Sequence, residues 1–350
     1  MKPSRISVLI IGTLPPPIGG AGVSLQQLLD ALVRRDDVQF VHVNTGGIRG
    51  RPISAPFRFV AVAWRILSNA RRADVVSLQT VPTGLPFLGP FAWAASRLWG
   101  KPFMIRMFGG QDCFEMGGVR GAVNRWFIRR CDLYLAETKA ATEAARRAGV
   151  ARADWYATGR PMPALPPEEA GRKRACRRFV FLSQVKLSKG IGTLVEAAEK
   201  IEADVHIDVF GPFFEGLDED FFKDRRHIRY CGVVSPDRVL EVLASYDAVV
   251  LPTHWPGEGY PGIIMEAYAA GLPVITTNWL AIPEIVDESC GILVEPKNPG
   301  ALAEAMTRLN QDSEWYARIR AGSRAKRDLF DASRWVNCFV EHCRQLSKKL

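Results

Sequence analysis

Short apolar runs, each closed by glycine, proline or a polar cluster, recur along the chain and predict its elements. Residues 6–11 (ISVLII), 38–43, 74–78, 103–107 and 133–136 have the length and composition of buried strands. Helical spacing fills the gaps: 23–34, where Leu25, Leu28, Leu29 and Leu32 share one face, then 52–72 and the tryptophan-rich 87–99. Strand and helix alternate, which predicts parallel sheets. The pattern resumes with strands at 179–182, 205–210, 228–231, 248–252, 274–276 and a last one ending at Val294, and with helices at 192–200 and 262–270. From 299 onward the chain reads as helices at 299–310, 313–328 and 333–348. Residues 159–178 are rich in proline and charge and read as a linker. The expectation is an α/β protein of two domains, 1–165 and 175–330, since 350 residues suffice for two full cores.

The stretch 248–294 carries the candidate chemistry. Pro256, Gly257, Gly259 and Pro261 keep 254–261 out of a helix. Pro261 suits the first helical position, and Gly271 closes that helix. The loop therefore lies where a strand ends and a helix begins, which is where open α/β sheets bind ligands. Glu258 on the loop and Glu266 in the helix are separated by seven residues. Carboxylates suit the vicinal hydroxyls of a sugar. The N–H groups of Gly262, Ile263 and Ile264 are expected to form an anion site at the helix start. Taken alone, Glu258 reads more readily as a solvated loop charge and Glu266 as the polar face of an ordinary helix. Glu266, however, stands amid Ile263, Ile264, Met265, Ala267 and Ala270, and a buried carboxylate needs a partner.

With its flanks, this stretch resembles the family 4 glycosyltransferases, retaining enzymes of the GT-B fold that use nucleotide sugars. The resemblance rests on Glu258…Glu266, Glu266-Ala267, Gly271-Leu272-Pro273-Val274-Ile275 and Ile282-Pro283-Glu284-Ile285-Val286. It implies two Rossmann-like, doubly wound domains facing a central cleft, with the final helix, 333–350, packing back on the first. The first domain would take the acceptor and the second the nucleotide-diphosphate sugar. Glu266 is implied at the ribose and Glu258 at the sugar hydroxyls. Lys189 and the amides of Gly19, Gly20, Gly262 and Ile263 are implied at the phosphates, with the backbone near Gly232 at the base and Gly259 and Tyr260 beside the donor. Lys189-Gly190 and Pro16-Pro17-Ile18-Gly19-Gly20 match family patterns.

Two positions depart from it. Ser183-Gln184 stands where the family has Gly-Arg; Lys186 either replaces the lost cation or is a solvated loop lysine. Phe108 takes the place of the family's histidine, leaving Asp112 and Arg106 as the nearest groups with chemistry, each equally a loop charge. The implied reaction moves a hexose, with retention, to a glycan or lipid-linked acceptor of surface-polysaccharide biosynthesis. No Asp-x-Asp stands beside the donor loop, so neither metal nor cofactor is expected. The alternatives are a catalytically weak nucleotide-sugar-binding partner subunit of another transferase, and an epimerase or hydrolase on the same fold.

Charge adds a further expectation. The net +9 is uneven: residues 1–174 hold 25 Lys and Arg against 12 Asp and Glu, a balance of +13, and the remainder balances at −4. A basic half suggests an anionic partner. No nucleic-acid motif is present, and the arginines mix with Trp and Phe, most clearly in 52–72, where Phe57, Phe59 and Trp64 accompany Arg58, Arg65, Arg71 and Arg72. That helix suits an anionic membrane surface or, equally, is an ordinary helix facing the sheet. No segment has the apolar length of a membrane span, and 6–11 is too short for a signal-peptide core. A cytoplasmic location is expected, with peripheral attachment to the inner face of the cell membrane as a variant. The seven cysteines include no C-x-x-C pair and read as reduced, buried thiols.

Overall fold

The computed structural model describes residues 5–16, 19–46, 55–165 and 175–348. Pro17 and Ile18, the start of the expected 52–72 helix, most of the charged part of the expected linker, and the last two residues lie outside the described residues.

The chain forms two compact units: the described residues up to Gly159 together with those from Ala332 onward, and Arg160–Asp331. Each is built on a six-stranded sheet whose strands all pair in parallel.

In the first unit, β1 (Ile6–Gly12), β2 (Val38–Asn44), β3 (Val75–Thr80), β4 (Phe103–Met107), β5 (Leu133–Ala136) and β6 (Ala153–Trp155) lie in the order β2-β1-β3-β4-β5-β6. Helices α1 (Gly20–Val33), α2 (Ala55–Ala70), α3 (Leu85–Leu98), α4 (Gly118–Arg130) and α5 (Lys139–Arg147) connect them. β3, β4 and β5 are buried from end to end. Parallel strands covered on both faces require such unbroken burial, which is why their sequences do not alternate. One apolar cluster joins Leu9, Val76 and Ile105 of the sheet to Ile66 of α2, Ala92 of α3, Ile128 of α4 and Ala145 of α5.

The second unit has β7 (Arg178–Leu182), β8 (His206–Phe210), β9 (Ile228–Tyr230), β10 (Ala248–Leu251), β11 (Val274–Thr277) and β12 (Gly291–Val294) in the order β12-β11-β10-β7-β8-β9. Its helices are α6 (Ile191–Ala198), α7 (Val239–Leu243), α8 (Gly262–Ala269), α9 (Pro299–Gln311) and α10 (Ser313–Ala325). Strand order reverses between β7 and β10, and such a switch point is where open α/β sheets take ligands. The last helix, α11 (Ala332–Ser347), packs on α1, β1 and β3 of the first unit. The Tyr156 hydroxyl donates to the Trp335 carbonyl there, at 2.7 Å.

Several expectations need correction. β6, α4, α5 and α7 were not foreseen: β6 is three residues long, and α4 carries Arg120, Arg125, Arg129 and Arg130, which blur its apolar face. α1 starts at Gly20, three residues before the expected start. Pro261 is the cap of α8, not its first helical residue, because its ψ of 123° is still extended. Arg160 is no linker residue: it is 3% exposed and belongs to the second unit.

Candidate functional site

The loops after β7 and β10 come together at the point where strand order reverses. After β7 the chain enters a 3-10 turn, Leu187–Lys189, and then Gly190 at φ +83°. A Cβ on Gly190 would lie 1.9 Å from the Pro252 carbonyl oxygen. Only glycine permits both this dihedral and this approach, and the approach sets the turn against the end of β10. The His254 N–H then donates to the Ser188 carbonyl at 2.9 Å.

Lys189 is thereby delivered to Glu258. Its Nζ lies 2.8 and 2.6 Å from the two carboxylate oxygens, and the Thr253 hydroxyl donates to Oε2 at 2.7 Å. Glu258 is 6% exposed, so it is not the solvated loop charge that its sequence also allowed. A carboxylate has roughly four acceptor positions; with these three contacts taken, one remains for a hydroxyl.

Lys186 sits beside this pair. It is 7% exposed, not solvated, and its Nζ lies 3.4 Å from the centroid of the Trp255 ring. No hydrogen bond or ion pair engages Nζ among the described residues. Burial, and then the charge of Lys189, pull its pKa below the ordinary lysine value. Glu215 and Glu258 act on this buried ammonium only through space, and with a π face on one side and a second ammonium near it the group is placed to take up an anion. His254 adjoins the site; burial, and then Lys297, hold its imidazole below the ordinary value, and its Nδ1 finds no hydrogen-bond partner among the described residues.

Glu266 occupies the first turns of α8, and its partner is Arg160, whose Nε donates to Oε1 at 2.8 Å. The other oxygen of Glu266 accepts no hydrogen bond among the described residues. Gly262 makes room for the guanidinium, since a Cβ there would meet Arg160 Nη2 at 2.2 Å. The Ile264 N–H, expected to be free, is spent on the Pro261 carbonyl at 3.0 Å. Gly262 and Ile263 keep theirs, among the described residues. Gly259 is buried, and Tyr260 donates its hydroxyl to Glu284 and packs edge-on against Phe330. Gly232 follows β9 at φ +93°, and its carbonyl accepts from the Gly211 N–H.

The remaining predicted residues lie in the first unit. Gly19 caps α1 and Gly20 begins it; a Cβ on either would meet nothing within 4 Å among the described residues. Asp112 accepts from the Phe114 N–H at 2.7 Å and so holds its own loop. Arg106 is buried at 3% exposure, not a loop charge, with its guanidinium carbon 4.4 Å from the centroids of both Phe108 and Tyr156. Phe108 thus covers Arg106. Beside it, buried Glu137 accepts from the Gly109 N–H at 2.7 Å and the Thr158 hydroxyl at 2.9 Å.

Sequence reasoning missed Arg160, Glu137 and His254. Glu137 did carry a signal: a carboxylate directly after the apolar strand LYLA and before the helix-capping Thr138. Arg160 carried none, because its partner is 106 positions away. No group of three or more His, Cys, Asp or Glu side chains is placed to hold a metal ion among the described residues.

Residues 176–312 match the model of the family described as glycosyl transferases group 1. TuaC of Bacillus subtilis, named for teichuronic acid biosynthesis, is 30% identical over 139 residues, which are 40% of this chain and 34% of that one. The O-antigen chain mannosyltransferase B of Escherichia coli is 30% identical over 114 residues, 33% of this chain and 28% of that one. The matched segments thus span about a third of these curated relatives. Among solved structures, HepE of Anabaena in complex with UDP superposes with a TM-score of 0.78 at 17% identity, covering 97% of this chain and all of that one. The chain therefore has the GT-B fold of two Rossmann-like units, and the part of it that holds Lys186, Lys189, Glu258 and Glu266 is similar in sequence to the group 1 glycosyl transferases.

Proposed function

We propose that this chain is a retaining glycosyltransferase that moves a hexose from a nucleotide-diphosphate sugar to a glycan or lipid-linked acceptor in surface-polysaccharide biosynthesis. The observation that carries the reading is the Lys186–Lys189–Glu258 cluster where strand order reverses, with Glu258 eight positions before Glu266 and the whole within the segment similar to group 1 transferases. The second unit takes the donor. Glu266, held by Arg160, accepts from the ribose through its free oxygen. Lys186 and Lys189, with the amides of Gly262 and Ile263, receive the diphosphate. Glu258 uses its remaining acceptor position on a sugar hydroxyl. Charge building on the departing diphosphate is met by fixed ammonium groups and oriented amides, which is the largest usual source of stabilisation for such a step. No divalent metal is then required. The first unit takes the acceptor, with Asp112 as its candidate catalytic carboxylate. Relatives named for teichuronic acid and O-antigen support the choice of acceptor class.

A second reading, a non-catalytic partner subunit that binds nucleotide sugar, draws on Gln184 and Phe108, which stand where the family has an arginine and a histidine.

One comparison tests these roles. Glu258→Gln and Glu266→Gln are titrated calorimetrically with UDP and GDP and then assayed for transfer, with and without EDTA. Glu266→Gln should weaken nucleoside diphosphate binding by about 1.5–3 kcal/mol, the worth of a hydrogen bond to a charged group. Glu258→Gln should leave that affinity nearly unchanged while transfer collapses, since a contact to the reacting sugar acts in the transition state. Equal loss of diphosphate binding in both variants refutes the division of roles. Unaltered turnover in EDTA is expected; abolition restored by Mn²⁺ refutes the metal-free step. Wild-type binding without turnover on any donor favours the partner subunit.

A further inference from the structure

We propose that the outer face of α2, α3 and α4 docks on an anionic lipid surface. α2 packs against α3 and α3 against α4, so the three helices form one continuous layer of the first unit. Among the eleven described helices, these three alone contain no Asp or Glu. Arg65, Arg71, Arg72, Arg120, Arg129 and Arg130 are exposed on them or at their ends. None of the six lies within ion-pair distance of a carboxylate among the described residues, so their charge is unopposed.

The same three helices also expose large apolar side chains. Phe57 is 80% exposed, Trp64 70%, Phe87 60%, Leu98 65% and Val119 82%. Arg71 stacks over Trp99 and Arg130 over Trp126, at 5.6 and 4.3 Å from the ring centroids. An apolar surface this well populated, in a chain otherwise ordinary in composition, has a partner.

The chemistry selects the partner. Interfacial helices bury Trp, Phe and Leu at the boundary of headgroup and acyl chain while cationic side chains meet the headgroups. Leu98 and Val119 offer a nucleobase neither a π face nor a hydrogen bond, so nucleic acid would leave them stranded. A second copy of the face would set arginine against arginine. The attachment is peripheral in kind, since no described helix is long and apolar enough to cross a membrane.

The test uses the full chain in vesicle flotation, with phosphatidylcholine alone and with phosphatidylcholine plus phosphatidylglycerol. Binding is expected to the anionic vesicles only and to fall steeply with salt. Replacing Arg65, Arg71, Arg72, Arg129 and Arg130 together by Gln should weaken partitioning at least about tenfold, as several unopposed charges each contribute near the surface. The same charge change in the second unit, at Arg177, Lys223, Arg225, Arg226 and Arg238, should leave it unchanged. Trp64→Ser combined with Phe87→Ser should weaken binding at high salt, where the electrostatic part is screened. Equal flotation with both vesicles, flotation with neither, no effect of the arginine replacements, or capture of single-stranded RNA by this face in preference to vesicles would each overturn the proposal. The result does not depend on which sugar, if any, the chain transfers.

Discussion

The two units share one architecture and use it differently. Each is a six-stranded parallel sheet with an order that reverses once. The second unit places two largely buried ion pairs beside that reversal, Lys189 with Glu258 and Arg160 with Glu266. The first unit keeps Arg106 and Glu137 inside, engaged with backbone, rings and hydroxyls, and leaves a set of unopposed arginines on its helices. The sheets need only buried apolar strands, and many sequences satisfy that. Polar groups are free to differ, and on them rest the donor binding proposed for one unit and the surface docking proposed for the other.

The largest expected effect tests whether the ion pairs of the second unit act as coupled structure. Arg160→Met leaves Glu266 without its partner, and breaking a buried pair from one side costs about 3–5 kcal/mol. Because Glu266 keeps some access to solvent, the lower end is expected. Adding Glu266→Leu should return much of that stability while nucleoside diphosphate binding stays lost. Urea unfolding of wild type, single and double variants measures it. A single variant as stable as wild type would mean that the two charges are independent and that the second unit is no more pre-arranged than the first.

A smaller effect sharpens the contrast at Lys186. Trp255→Leu removes the π face beneath the ammonium, worth about 1 kcal/mol at a partly desolvated site. Nucleoside diphosphate affinity should fall about fivefold by the same interaction, with the unfolding midpoint nearly unchanged. A matched change in the first unit, Phe108→Leu over Arg106, should lower stability and leave nucleotide affinity alone. If both variants lose only stability, Lys186 is structural and the anion receptor assigned to it is wrong.

The smallest effect is in pH. Burial holds the imidazoles of His42 and His342 in the first unit, and of His254 in the second, below the ordinary value. For such groups the unfolded chain takes up protons first as pH falls. Stability from this source is therefore complete above about pH 6.5 and is lost progressively below it, toward the depressed folded values. Thermal unfolding followed from about pH 8 down to about pH 5.5 should show this decline, and His342→Leu should flatten it. His342 is the apt choice because its Nδ1 is buried without a hydrogen-bond partner among the described residues. An unchanged slope in His342→Leu would shift the acid sensitivity to the carboxylates.

Most of the scaffold was legible in the sequence because continuous burial leaves a continuous signature. β3, β4, β5, β10 and β11 are buried along their whole length, and each was placed within one or two residues. β6 left no trace, since a three-residue strand whose inner position is an alanine cannot be told from a loop. The loop between Pro252 and Pro261 was also legible, because proline and glycine act on their own backbone wherever they stand.

What the sequence determined by itself was therefore whatever depends on neighbours along the chain: the longer buried strands, most of the helices, the position of Glu258 on a loop and of Glu266 in a helix. Tertiary structure alone decided who answers those charges. Arg160 reads as part of a linker until the fold brings it against Glu266 across 106 positions. Lys186 reads as a surface lysine until Trp255 covers it, and Lys189 meets Glu258 only because Gly190 lets two loops touch at a distance no Cβ allows. Periodicity reports burial, which each residue senses through its own side chain. Pairing is a property of two residues and a shape, and no pattern of single positions encodes it.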